Sequence, residues 1–210
     1  LDWGVKKFKK IALLHGTGGY GMFAAGEIQK GMKARGMELV AVESAAPNVT
    51  DMTPQVLNLK NSGAELVLMF HDSLELLYRA MPKANYKPVV AGNWGLSSQM
   101  VLNIVGQEAL EGTVMGQALD LGDAKAAAFN AKMSKEFGDK YRWPVVAALG
   151  YDGMRILLQA LDRAGGDPAK IQKALETTTG FKAVSGTPEK PFGPKDHECL
   201  DAENVFLGVW

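Results

Sequence analysis

Apolar and polar positions follow one another along the first half of the chain in two alternating kinds of block. Lys10-Ile-Ala-Leu-Leu-His15 is a short apolar run that stops at Gly16-Thr-Gly-Gly-Tyr-Gly21, the form of a buried strand entering a tight turn. From Tyr20 to Arg35 the apolar residues Met22, Phe23, Ala25, Ile28 and Met32 recur near the helical period, and Gly36 stands where a helix closes on a left-handed residue. The pair then repeats. Residues 37–42 predict a second strand, and Thr50 or Asp51 caps a helix that runs through Ser62 to Gly63. Residues 65–70 predict a third strand, His71-Asp72-Ser73 its cap, and a helix continues to about Met81. Residues 87–92 predict a fourth strand, followed by Asn93-Trp94-Gly95 and a helix from about Ser97 to Val105, and residues 112–119 a fifth strand. Such alternation is the signature of right-handed βαβ crossovers. The first half therefore reads as an α/β lobe with a doubly wound parallel sheet.

After Leu119 the pattern changes. Helical spacing covers residues 124–137, 145–164 and 167–178, the last opened by the cap and first-turn pair Asp167-Pro168. No strong strand separates these helices, so they cannot extend the sheet by the same alternation. Residues 184–195 are rich in turn formers, and the chain ends on a strand-like run over 204–210.

Composition narrows the function classes. The 210 residues carry 23 basic and 23 acidic side chains and are 47% hydrophobic, an ordinary globular balance for one or two domains. Zero formal charge gives no electrostatic footprint for nucleic acid or an acidic membrane surface. Cys199 is the single cysteine, which excludes an intramolecular disulfide and a Cys-rich metal cluster, and its acidic neighbours Glu198 and Asp201 disfavour a thiolate. The longest apolar stretch, over 145–161, is interrupted by Gly150, Asp152, Arg155 and Gln159 and falls short of a membrane span. The first residues contain neither an initiator Met nor the apolar core of a signal peptide, so an upstream segment is expected to have been removed.

Open α/β sheets bind ligands beyond the carboxyl ends of their strands. Those loops hold Thr17 and Tyr20, then Phe70, His71 and Asp72, then Asn93 and Trp94: aromatic rings beside hydrogen-bonding groups, which is pocket chemistry for a small organic molecule. Residues 16–21 also match the dinucleotide fingerprint through Gly16, Gly18 and Gly21, with Glu43 at a later strand end placed to meet a ribose. That match supports an alternative reading, an NAD(P)-dependent enzyme domain. Against it, bulky Tyr20 stands where a pyrophosphate needs close backbone approach. His15, His71 and His197 have no metal-ligand spacing. His71-Asp72 lacks a nucleophile in an elbow motif. Neither catalysis nor a bound cofactor is expected.

In order along the chain, Lys9-Lys-Ile-Ala-Leu-Leu with Tyr20-Gly21, Thr50-Asp-Met-Thr-Pro-Gln-Val56, Gly63-Ala-Glu-Leu-Val67, Ala148-Leu-Gly-Tyr-Asp152 and Phe192-Gly-Pro-Lys-Asp-His197 resemble the solute-binding proteins of branched-chain amino acid type ABC transporters, which have the type I periplasmic binding fold. The resemblance implies two lobes that close on a solute without altering it, a location in the periplasm or on the extracytoplasmic surface, and delivery to permease subunits. It implies that residues 7–118 form the second lobe, that 119–185 return to the first, and that 186–210 cross back. The chain then lacks the first part of lobe 1. Helices without their sheet expose an apolar face, so a missing N-terminal lobe or a second copy of the chain is expected to cover them. The resemblance also implies solute contact at Tyr20 and at Phe70 or His71. Relatives that bind α-amino acids place an acidic residue for the ammonium where this sequence has Asn93-Trp94; a neutral amide beside an indole suits an apolar or aromatic acid or an amide. A sensor domain on the same fold is a third reading that these residues leave open.

Overall fold

Strand β1 (Ile11–Gly16) is buried along its whole length, and its side chains divide by parity between two cores. Ala12 and Leu14 join one cluster, Ile11 and Leu13 the other. Strand β3 (Leu66–Phe70) repeats the division, with Val67 and Met69 on one side and Leu66 and Leu68 on the other. A continuous apolar run works here because successive residues face opposite sides of a sheet covered on both faces.

The computed structural model describes all 210 residues and resolves them into two units, Leu1–Met115 with Gly208–Trp210, and Gly116–Leu207. A six-stranded sheet runs in the order β2-β1-β3-β4-β5-β6, with β2 (Ala41–Ala45), β4 (Val89–Gly92), β5 (Val114–Gln117) and β6 (Phe206–Val209). The first five strands pair in parallel, with registers such as Ala12↔Ala41, Ile11↔Leu66, Leu66↔Val89 and Ala91↔Val114.

In the first unit, residues of α1 (Asp2–Lys7) and α2 (Gly19–Ala34) pack into one core. Residues of α3 (Thr53–Asn61), α4 (Leu74–Lys83), α5 (Gln99–Val105) and α6 (Gln107–Leu110) pack into the other. Fully buried Leu14, Leu59, Leu66, Leu77 and Leu96 each contribute about 2 kcal/mol by burial. The chain end is tied in by Trp210, whose indole N–H donates to the Leu96 carbonyl at 2.8 Å.

Two sequence expectations need correction, and one helix lies outside them. The second strand begins at Ala41, not at Met37. Met37 and Leu39 are apolar because they pack against a core on the approach to the sheet, and pairing starts only where Ala41 meets Ala12. The buried side of α2 is Gly21, Ala24, Ala25, Ile28 and Met32, whereas Met22 and Phe23 are exposed; small residues at that spacing let the helix lie close to the sheet. The α1 helix at residues 2–7 was not anticipated.

The second unit contains α7 (Ala124–Phe137), α8 (Pro144–Ala164) and α9 (Pro168–Glu176). Asp123 and Asp167 cap α7 and α9 by accepting first-turn backbone N–H groups. Arg163 of α8 donates to the Ala174 carbonyl at 2.8 Å and to the Thr178 hydroxyl at 2.6 Å, holding α9 in place. No helix of the chain is long and apolar enough to cross a membrane.

Candidate functional site

In a sheet of order β2-β1-β3-β4, the chain leaves β1 toward one side and continues from β3 toward the other. Ligands of such sheets bind where the order reverses, outside the carboxyl ends of β1 and β3. Tyr20, in the first turn of α2 after β1, and Phe70, the last residue of β3, meet at this point with ring centroids 6.3 Å apart and a tilt of 46°. The Gly92 end of β4 adds Asn93, whose amide Nδ2 donates to the Tyr20 hydroxyl.

Local sequence explains each placement. Gly21 follows Tyr20 because a Cβ there would lie 2.5 Å from the Gly16 nitrogen and 2.7 Å from its carbonyl carbon; the helix start rests directly on the strand end. Gly92 serves the same purpose at β4, where a Cβ would lie 2.6 Å from the Met69 carbonyl oxygen. Asn93 then caps a short 3-10 turn, Trp94–Ser97, by accepting the Gly95 N–H at 2.8 Å. Its side chain is thereby oriented by the local backbone.

The Tyr20 side chain is half exposed, at 45%. Burial pushes its hydroxyl above the usual tyrosine value; the hydrogen bond from Asn93 opposes that rise and the nearby Asp72 carboxylate adds to it. Asp72 itself is exposed. Thr17 is exposed, but its backbone N–H is already given to the Ala45 carbonyl at 3.0 Å.

His71 behaves differently from its neighbours. It is 2% exposed, its Nδ1 accepts the Ser73 N–H at 2.9 Å, and its Nε2 faces the Ala46 carbonyl at 3.2 Å. Since a backbone N–H only donates and a carbonyl only accepts, the ring is held as the Nε2–H tautomer with both nitrogens occupied. It pins the loop after β3 to the loop after β2. Trp94 is half-buried at the start of its turn, and the ring that pairs with Tyr20 is Phe70 rather than Trp94. The structure thus brings Tyr20, Phe70 and Asn93 together, leaves Asp72 and Thr17 exposed, and withdraws His71 into the scaffold.

Sequence reading passed over the contributions of Ala46 and Ser73, which act through backbone atoms and leave no side-chain signature. Glu43 accepts from the Asn58 side chain at 3.3 Å. The glycines at 16 and 21 are accounted for by helix-on-strand contact, so the dinucleotide alternative draws no support from them. Cys199 is half-buried and its thiol is pushed up by burial, in keeping with an unreactive side chain.

Comparison with known proteins places these observations. A sequence family described as periplasmic binding protein matches residues 1–202. The Leu/Ile/Val-binding protein homolog 3 of Brucella melitensis is 29% identical over 187 residues, covering 86% of this chain and 50% of that relative. Hence the chain spans about half the length of the curated relative it matches. Among solved structures, a periplasmic binding protein type 1 from Bordetella pertussis Tohama I superposes with a TM-score of 0.84 at 22% identity, over 98% of this chain and 59% of the other. An ABC transporter solute-binding protein from Rhodopseudomonas palustris BisB5, in complex with 3,4-dihydroxybenzoic acid, gives a TM-score of 0.78 at 21% identity, over 99% of this chain and 58% of the other.

Proposed function

This chain belongs to the periplasmic binding protein family, and on that premise we propose that it captures a small organic solute, without chemical change, at the carboxyl ends of β1, β3 and β4. The observation that carries the proposal is the meeting of the Tyr20 hydroxyl, the Phe70 ring and the Asn93 amide at the point where strand order reverses. Two aromatic faces with one oriented polar group suit an apolar or aromatic acid or amide. The relatives support that class: one is named for leucine, isoleucine and valine, and another holds a dihydroxybenzoic acid. The proposal includes an extracytoplasmic location and hand-over to the permease of an ABC importer.

A further part concerns α8. Val146, Met154, Leu157 and Leu158 are exposed along one side of it, beside Gly150 and Gly153, which have open space around them. The opposite side holds the buried residues Val145, Ala148, Ile156 and Ala160. A continuous apolar stripe of this kind is normally covered. We assign its cover to the part of the fold that the longer relatives carry beyond the matched half, with a second copy of this chain as the other candidate.

Calorimetric titration with leucine and with 3,4-dihydroxybenzoate tests the site. Saturable binding of either solute, weakened tenfold or more by Tyr20→Phe or Phe70→Ala, is the expected result. Thermal stabilisation by NAD(P) that disappears on Glu43→Ala overturns the proposal in favour of the dinucleotide enzyme.

A further inference from the structure

The Asn93 side chain has only one admissible orientation. Its amide lies between two groups, the Gly95 backbone N–H and the Tyr20 hydroxyl. A backbone N–H can only donate, so the amide oxygen must face Gly95, and Nδ2 must face Tyr20. Nδ2 can only donate, so the Tyr20 oxygen must accept. The phenolic proton is therefore turned away from Asn93, on a side chain that remains half exposed beside the Phe70 ring.

We infer that Asn93 is a positioning residue that sets the polarity of the Tyr20 hydroxyl, making it an outward-facing hydrogen-bond donor that selects solutes presenting an acceptor oxygen, a carboxylate or carbonyl, on an apolar or aromatic body. The inference rests on the reading of this cluster as the solute site. The rest of the cluster fits it. His71 has no free nitrogen and the Thr17 backbone N–H is occupied, while Tyr20 carries a hydroxyl whose direction is set by the Asn93 side chain. That hydroxyl is protonated at neutral pH, as a phenol is, and burial moves its ionisation still higher. Asp72, exposed near Tyr20, offers only acceptors.

Asn93→Asp tests the idea with almost no change of shape. The new carboxylate keeps one oxygen on the Gly95 N–H and places the other against Tyr20, which must then donate inward and turn its lone pair outward. Raman spectroscopy reads this directly, because the intensity ratio of the tyrosine Fermi doublet distinguishes a donating from an accepting hydroxyl. The difference between Asn93→Asp and wild type is expected to show one tyrosine becoming a stronger donor, now to a carboxylate, and to vanish in a Tyr20→Phe background. Benzoate is expected to bind about tenfold or more weakly to Asn93→Asp, and benzylammonium about tenfold more tightly, since hydrogen bonds to charged groups are worth at least that ratio.

An unchanged doublet overturns the inference, as does a switched doublet with both affinities unmoved. If Tyr20→Phe leaves benzoate affinity intact, it is the underlying site reading that fails. Should Asn93→Asp not fold, Asn93→Ser keeps a capping oxygen but has no amide to reach Tyr20. The same doublet must then lose its accepting character, and an unaltered one counts against the inference.

Discussion

Asp152 and Ser185 meet in the interior of the helical unit, where the carboxylate accepts both the Ser185 N–H at 2.8 Å and its hydroxyl at 2.7 Å. The same carboxylate takes the Val184 N–H at 3.0 Å, and Arg155 stands 3.4 Å away. Asp152 is fully buried. Its Arg155 neighbour donates to the Lys182 carbonyl at 2.8 Å and lies over the Phe181 ring at 4.9 Å. Asp152 and Arg155 of α8 thus hold the 181–185 segment between them, the carboxylate at 184 and 185 and the guanidinium at 181 and 182.

Removing it should be costly. Asp152→Ala leaves several half-buried donors without an acceptor and is expected to destabilise the second unit by about 3 kcal/mol, read as a lower urea midpoint. Asp152→Asn retains one acceptor oxygen and is expected to lose less. Equal losses for the two variants would show that volume, not acceptor capacity, is what the site needs.

High pH should weaken the first unit through Tyr78. This ring is buried, its hydroxyl is bonded to Thr113 at 2.7 Å, and burial pushes its pKa from 10.0 up to about 12. Below pH 10 the ring is neutral in both folded and unfolded chains, and its contribution is complete. Between pH 10 and about 12 the unfolded chain ionises first, so stability falls as pH rises. Tyr78→Phe costs about 1 kcal/mol at neutral pH by losing the hydrogen bond. Its deficit against wild type is expected to shrink on titration past pH 10, measured by chemical denaturation at each pH.

Glycines in the first loop should divide by packing. Gly21→Ala drives a methyl into the Gly16 backbone, which has no flexible end to move; a loss of about 2 kcal/mol is expected. A Cβ at Gly19 meets nothing within 4 Å, so Gly19→Ala should be near neutral. Thermal melts of the two variants separate the cases, and a matching loss at both positions would refute the contact explanation.

The apolar stripe of α8 should govern association. Met154→Lys combined with Leu158→Lys adds charge where both side chains are more than half exposed, at 55% and 52%. Folding stability is expected to stay within about 0.5 kcal/mol, while self-association of the isolated chain, followed by sedimentation, should fall. Unchanged association would remove this face from consideration as an interface.

Much of the fold was legible because its signals are local. The runs at 10–15 and 65–70 are continuous and apolar, as strands covered on both faces must be, and β1 and β3 lie where those runs are. Asp167 announced the start of α9 through capping chemistry that acts within one turn, and helical spacing alone located α7. The second strand was misplaced for the complementary reason. Met37 and Leu39 are as apolar as strand residues, and only the pairing partner Ala12 decides where the ladder begins.

From its sequence alone the chain determined an alternating α/β lobe, a change to helices after residue 119, and the loops in which a solute could be held, because periodicity, caps and glycine turns are properties of neighbouring residues. The tertiary structure decided which loops meet. Side-chain alternation is the same whichever strand lies alongside, so nothing local places β1 between β2 and β3. That order sets Tyr20 against Phe70 and Asn93, and it sends His71 inward to tie two loops together. Long-range strand pairing and the one-way chemistry of a backbone N–H fixed how the Asn93 amide meets the Tyr20 hydroxyl.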